Sequence, residues 1–281
     1  MLRYFLKKEF PIFINVVCSR ADIVVSNDIF MNKSEVLKQS PLANPHQLLL
    51  RKSETIVSWG KTAIVAPHPD DESLGCGGAI ALLREFGVEV SVLVLSDGTL
   101  SHPNSKKFPA DKLRDLREAE ILNALDILGV ELENTTFFRY PDRSVPDQNS
   151  PEWTSAIEKC RQYLEKVEPQ TVLVPWRRDP HPDHRAAYSL IKNINQKYLP
   201  DFKILEYPIW LWEIAESGDA PNFGEITAWR LDISSVAAKK KQAIMAHKSQ
   251  ITDLIDDDPE GFRLSEEILE NFADGWEIYF E

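Results

Sequence analysis

Short β-branched segments alternate with longer amphipathic segments from Lys61 onward, and this alternation restricts the fold more than any other feature of the sequence. It is typical of parallel strands joined by crossover helices. We therefore predict an α/β fold with a Rossmann-like, doubly wound, mostly parallel sheet and helices on both faces. The predicted strands are 63–66, 89–95, 135–139, 171–174 and 203–206, and the predicted helices are 76–86, 111–128, 152–167 and 183–198.

The pattern changes after Tyr207. The sequence predicts a short strand at 226–231, a helix at 234–247, an acidic loop at 251–264 and an edge strand at 276–280. Residues 1–55 do not fit the alternation, so we expect an N-terminal extension of unclear role there and one catalytic domain at 56–281.

Charge and cysteine content narrow the classes of partner. With 32 basic and 44 acidic residues the formal charge is −12, which disfavours nucleic acid and anionic membrane surfaces and suits a neutral or cationic small substrate. The three cysteines are widely spaced, which indicates a cytoplasmic protein. The sequence contains no run of eighteen apolar residues, so we expect no transmembrane segment. The sequence leaves the oligomeric state open, and an oligomer is possible.

Ionisable side chains directly follow the first predicted strand. His68, Asp70, Asp71 and Glu72 come after it, where the carboxyl end of a strand opens into the ligand crevice of an α/β sheet. Pro69 biases His68 toward an extended backbone, and the turn that follows allows the two aspartates to have different roles. The later glycines 75, 77 and 78 do not have dinucleotide-loop spacing, so we attribute them to close helix packing.

A second polar cluster follows the predicted strand at 171–174. It contains Asp179, His181, Asp183 and His184 and opens a predicted helix. Two such clusters on one edge of a sheet can converge into two imidazoles and a carboxylate with an open position for water, which is typical of a catalytic metal site. Each cluster alone could equally cap a helix, but two at matching positions favour the catalytic interpretation.

The two motifs, Ala-Pro-His-Pro-Asp-Asp-Glu at 66–72 and His-Pro-Asp-His at 181–184, closely resemble the LmbE-like or PIG-L family of N-acetylglucosaminyl deacetylases. The resemblance extends from about Lys61 to the end of the chain. It includes a helix after the second strand and a C-terminal helix and turn, which carry the matching residues Arg117, Glu120, Ala124, Leu128, Gly129, Lys240, Ala243, His247, Ser249 and Gln250.

The resemblance implies a role for each matching side chain. His68, Asp71 and His184 would bind a metal ion. The expected metal is zinc, and Fe²⁺ or another divalent metal is the alternative. Asp70 would be the general base and His181 would stabilise the oxyanion. Asp183 would orient an imidazole, that of His181. Arg117 and Asp142 would bind the hydroxyl groups of the sugar. Some relatives have a tyrosine two residues before His181, where this chain has Asp179, which leaves the general acid open.

Amide hydrolysis agrees with this set of side chains, because a divalent metal activates water and polarises the acyl oxygen. The predicted function is therefore removal of the N-acetyl group from an N-acetylglucosamine-type sugar or its conjugate. Two alternatives are less favoured. The intact Asp70 argues against a non-catalytic metal- or sugar-binding protein on the same fold. A non-haem iron oxygenase also has a facial triad of two histidines and a carboxylate, but such sites normally occur on β-barrels, so the α/β pattern counts against it.

Overall fold

The computed structural model describes residues 37–38, 40–216 and 218–281. Within them, the strands form one mostly parallel eight-stranded sheet in the order β1-β7-β8-β6-β5-β2-β3-β4, and only β8 runs antiparallel to its neighbours. The predicted α/β class with a mostly parallel sheet is confirmed. The strands are β1 Leu49–Arg51, β2 Thr62–Ala66, β3 Val90–Ser96, β4 Thr135–Tyr140, β5 Thr171–Pro175, β6 Lys203–Tyr207, β7 Ala228–Asp232 and β8 Trp276–Phe280.

Helices cover both faces of the sheet. One hydrophobic core contains residues of α1, α2 and α5, and a second core on the other side contains residues of α3 and α4. The glycines of α1 permit close packing, as predicted, because a Cβ on Gly75 would come within 2.4 Å of the Tyr207 ring. The helices are α1 Asp71–Glu85, α2 Ala110–Leu128, α3 Trp153–Val167, α4 Pro182–Lys197, α5 Ala237–Ile244, α6 Lys248–Ile251 and α7 Glu266–Glu270.

Two strands differ from the sequence-based expectation. The strand at 276–280 was predicted at an edge, but β8 lies between β7 and β6. Its charged residue Glu277 is buried, and Lys240 compensates the charge at 2.8 Å. A charged residue in this strand therefore does not mark a solvent-exposed face. Leu49–Arg51, which lies within the predicted extension, pairs with β7. The sheet thus includes residues N-terminal to the predicted boundary at residue 56.

Within the predicted extension, residues 1–36 and 39 lie outside the described residues. No helix among the described residues is long and apolar enough to cross a membrane.

The chain order places a crevice at one edge of the sheet. From β2 the chain continues to β3 and β4 on one side, whereas β5 and β6 lie on the other side. The connections therefore diverge between β2 and β5, and ligands of α/β proteins bind at the carboxyl ends of the strands at such a point.

Candidate metal centre and active site

The two polar clusters converge at the divergence point, as the sequence predicts. His68, Asp70 and Asp71 follow β2, and His181 and His184 follow β5. Asp71 lies in the first turn of α1 and His184 in the first turn of α4. Pro182 begins α4, where its fixed φ is compatible with a helix and its missing N–H costs no hydrogen bond.

One donor atom from each predicted metal ligand forms a compact triangle. Asp71 Oδ2 lies 3.2 Å from His68 Nδ1 and 3.2 Å from His184 Nε2, and the two nitrogen atoms are 3.3 Å apart. Ligands about 2.0–2.1 Å from a tetrahedral zinc ion are ~3.3 Å from one another. The three atoms therefore have the spacing of one face of a zinc tetrahedron, and the residues fit the metal.

Carboxylates lie behind both imidazoles of the triangle. Asp179 Oδ1 is 3.2 Å from His184 Nδ1, and Asp183 Oδ2 is 3.3 Å from His68 Nε2. A carboxylate on the far nitrogen fixes the tautomer and orientation of a metal-binding histidine.

The carboxylate of Asp183, which we expect to orient His181, contacts His68 in the structure. Only the main-chain N–H of Asp183 reaches the His181 ring, donating to Nδ1 at 3.2 Å.

The electrostatics of the triangle favour a cation. Burial lowers the pKa of His184, but Asp71 and Asp179 outweigh it and raise this pKa to about 9. His68 is likewise raised well above its usual pKa, despite burial, by Asp142, Asp183 and Asp71. Positive charge is therefore stabilised at the triangle. A divalent metal ion would supply that charge in place of the protons on the two imidazoles.

Asp70 lies beside this triangle in a different environment. Its Oδ2 accepts a hydrogen bond from Arg117 Nη2 at 2.9 Å, and its main-chain N–H donates to Glu72 Oε2 at 3.0 Å. Burial raises the pKa of Asp70 to about 6, although the Arg117 guanidinium opposes the shift. A carboxylate with a pKa near the working pH is well suited to accept and return a proton.

His181 presents one ring nitrogen to the site as a donor. Nδ1 accepts from the Asp183 N–H, so the proton of the neutral ring resides on Nε2. Burial and the nearby His68 lower the pKa of His181 to about 3, which keeps the ring neutral. Its ring centroid is 4.5 Å from that of His68. A neutral N–H donor beside the triangle has the chemistry required to stabilise an oxyanion.

The two predicted sugar-binding residues make contacts within the protein. Arg117 donates to Asp70, to Gly98 O at 2.7 Å and to Pro69 O at 2.8 Å. Asp142 Oδ1 lies 3.4 Å from His68 Nε2, and its other oxygen accepts from Leu100 N–H at 3.1 Å. Both side chains thus support the centre, and contact with a sugar stays a prediction.

Asp179 and the Glu72–His247 pair have contacts at the site that the sequence alone does not predict. Asp179 also accepts from Trp210 N–H at 3.0 Å, so one carboxylate joins His184 to the loop after β6. His247 is buried and its Nε2 lies 3.2 Å from Glu72 Oε1. The spacing of Asp179 from His181 was visible in the sequence, but the pairing of residues 72 and 247 required the fold.

Comparison with known proteins confirms the resemblance seen in the motifs. Residues 63–195 match the family model described as PIG-L: GlcNAc-PI de-N-acetylase. A diacetylchitobiose deacetylase from Thermococcus kodakarensis is 29% identical over 69% of this chain and 71% of its own length. A 4-oxalmesaconate hydratase from Pseudomonas putida is also 29% identical, over 74% of this chain and 80% of its own length.

Solved structures share the fold. A conserved protein from Thermus thermophilus is 28% identical and superposes with a TM-score of 0.52, covering 68% of this chain and 80% of its own. The zinc-inhibited form of the teicoplanin deacetylase Orf2 has a TM-score of 0.60 at 18% identity and covers 78% and 97% of the two chains. At that identity the likeness shows the fold alone.

Proposed function

We propose that this chain, which carries a PIG-L domain at residues 63–195, is a zinc-dependent hydrolase that removes the acetyl group from an N-acetylglucosamine-type sugar or its conjugate. The observation that carries the proposal is the triangle of His68 Nδ1, Asp71 Oδ2 and His184 Nε2, with 3.2–3.3 Å edges. Asp70 and His181 flank it with a proton acceptor and a hydrogen-bond donor, and amide hydrolysis requires both.

A divalent metal held by His68, Asp71 and His184 would supply a Lewis acid and lower the pKa of water to about 7. Asp70 accepts the proton that the attacking water loses, and Arg117 holds its carboxylate in place. His181 Nε2–H donates to the acyl oxygen as negative charge develops there. Asp70 then returns the proton to the sugar nitrogen as the C–N bond breaks, so that acetate and a free amine leave.

Metal identity is part of the proposal. Two imidazoles and one carboxylate suit zinc, and the same donors also accept Fe²⁺. One structural neighbour is the zinc-inhibited form of a deacetylase, so the effect of excess zinc on activity must be measured separately from the effect of one equivalent.

The test is acetate release from a panel of N-acetylated amino sugars, including N-acetylglucosamine, diacetylchitobiose and acidic glycosides. Metal-free protein is reconstituted with one equivalent of Zn²⁺ or Fe²⁺ and then with excess zinc. We expect activity near one equivalent, a ~10²–10³-fold loss in His181→Ala with metal retained, and metal loss in His184→Ala. Metal binding without acetate release from any substrate would indicate the non-catalytic alternative.

A hydration reaction is the second candidate, because the hydratase from Pseudomonas putida is as similar in sequence as the diacetylchitobiose deacetylase. The family model favours deacetylation. The same protein samples are therefore assayed for loss of the double-bond absorbance of unsaturated polycarboxylic acids. Turnover in that assay, with no acetate released from the sugars, would replace the proposal.

We propose that the protein is cytoplasmic, because its described cysteines are reduced. The two cysteines among the described residues, Cys76 and Cys160, are both free thiols and buried. Oligomeric state stays a prediction to be measured by light scattering.

A further inference from the structure

Arg143 differs from the other arginines that the structure describes. Its side chain is exposed and its guanidinium makes no hydrogen bond, ion pair or ring contact within the described residues. Each of the other described arginines has a hydrogen bond to a carboxylate or a carbonyl oxygen. In a chain of net charge −12, an arginine without a carboxylate partner is unexpected.

The backbone holds Arg143 in a conformation that arginine does not favour. Its φ is 61°, in the left-handed region, within a turn in which Ser144 N–H donates to Pro141 O at 2.9 Å. Asp183 fixes this turn, accepting from Arg143 N–H at 2.7 Å and from Val145 N–H at 3.1 Å. Unfavourable backbone geometry that the surroundings maintain is enriched at functional sites.

The same aspartate places the main chain of Arg143 beside the site. Asp183 Oδ2 lies 3.3 Å from His68 Nε2, and Asp183 N–H donates to the partly exposed ring of His181. Arg143 and His181 are therefore both bonded to one buried residue, Arg143 to its carboxylate and His181 to its main-chain N–H, and both side chains are at least partly exposed.

The charge of the site gives Arg143 a specific use. Asp70, Asp71, Asp142, Asp179 and Asp183 are all buried at or beside the centre, and the buried arginine there, Arg117, is already paired with Asp70. A substrate with a negative group would be repelled unless a free cation received that group. Arginine binds a carboxylate with two parallel hydrogen bonds.

We propose that Arg143 is a specificity residue that binds a carboxylate on the group attached to the N-acetyl sugar. The proposal rests on the proposed deacetylase function and deepens it, because it selects acidic conjugates over neutral ones. The sugar acetamide then occupies the centre beside His181, and the acidic substituent lies toward the turn at 141–144.

The experiment compares matched substrates. Glycosides of N-acetylglucosamine with a carboxyalkyl group of one to four methylenes are each paired with the corresponding primary amide, which has the same size and no charge. Kinetics are measured on metal-loaded wild type, Arg143→Gln, Arg143→Lys and Arg139→Gln. Arg139 is the matched control, since it is also exposed and left-handed, with φ 57°, but pairs with Glu118.

We expect Arg143→Gln to raise KM for at least one acidic glycoside by ~10-fold to 100-fold, with kcat and the amide kinetics nearly unchanged. Arg143→Lys retains part of the preference, and Arg139→Gln retains all of it. Calorimetric binding of the same glycosides gives the comparison without turnover. An unchanged acid-to-amide ratio in Arg143→Gln at every length would overturn the proposal, whereas absence of acetate release from all glycosides, with binding retained, would instead count against the deacetylase function.

Discussion

Asp70 and Asp71 are adjacent in sequence, but their carboxylates lie in different environments. Asp71 Oδ2 is 3.2 Å from both His68 Nδ1 and His184 Nε2, and Asp70 Oδ2 accepts from Arg117. The residues alone could not distinguish the two aspartates, because both lie at the start of the same helix. Their separation depends on where β5 and α2 bring His184 and Arg117, which local sequence does not encode.

This difference predicts separate effects for the two aspartates. Asp70→Asn keeps the size of the side chain but cannot accept a proton, so metal content should be retained while single-turnover deacetylation falls by ~10²–10⁴. Asp71→Asn should instead lose metal. Metal analysis and single-turnover acetate release are measured on both variants in parallel. Near-normal turnover of metal-loaded Asp70→Asn would remove it from the reaction, and metal loss confined to that variant would exchange the two roles.

Asp179 offers a second test at the level of single residues. It is fully buried, lies 3.2 Å from His184 Nδ1 and accepts from Trp210 N–H. Asp179→Asn removes the charge that orients His184, so zinc affinity should fall ~10-fold to 100-fold. Affinity is measured by competition with a chelator, and the absorption spectrum of the Co²⁺ form reports on the ligand geometry.

Asp258→Asn is the control for this substitution, because Asp258 is also buried and accepts main-chain N–H groups from Asn104 and Glu260. Both variants should lose stability, and only Asp179→Asn should lose zinc affinity. Equal zinc affinity in the two variants would show that Asp179 serves folding alone.

At the scale of elements, most strands and helices were predictable and their exceptions have identifiable causes. The helix expected at 76–86 begins at Asp71, because acidic residues in the first turn interact favourably with the helix dipole although they look like a loop in sequence. Periodicity located β8 but not its neighbours. Inside the sheet, β8 carries the buried Glu277, and its contact with Lys240 joins α5 to β8.

That buried pair predicts a large stability effect. Glu277 also accepts from the N–H groups of Gly78 and Ala79, so it joins α1, α5 and β8. Lys240→Met leaves a buried carboxylate without its cation and should lower the free energy of unfolding by about 3–5 kcal/mol. Urea denaturation measures the change, and the exposed neighbour substitution Lys241→Met should have little effect.

The double variant Lys240→Met/Glu277→Gln removes both charges and should recover part of the loss. If Lys240→Met were as stable as Lys241→Met, the pair would not hold the sheet and helices together.

At the scale of the whole molecule, the centre depends on the order of strands in the sheet. His68 and His184 are separated by 116 positions, and their nitrogen atoms are 3.3 Å apart because β2 and β5 are adjacent and parallel. The sequence predicted that both clusters lie at carboxyl ends of strands, which was sufficient to infer convergence. It did not predict which carboxylate lies behind which imidazole, since that depends on side-chain packing between loops.

Because the ligands come from two strands, the complete metal site exists only in the folded chain. A ligand that binds only the folded state stabilises it by about 4 kcal/mol when its free concentration is 1,000 times Kd. For a domain of this size, each kcal/mol raises Tm by roughly 2–4 °C. Adding zinc to metal-free protein should therefore raise Tm by about 8–16 °C, as measured by differential scanning calorimetry with a reversibility check. A chelator should reverse the shift, and His184→Ala should abolish most of it. A similar shift in His184→Ala would mean that zinc stabilises the protein from another position, and the triangle at β2 and β5 would then not be the metal site.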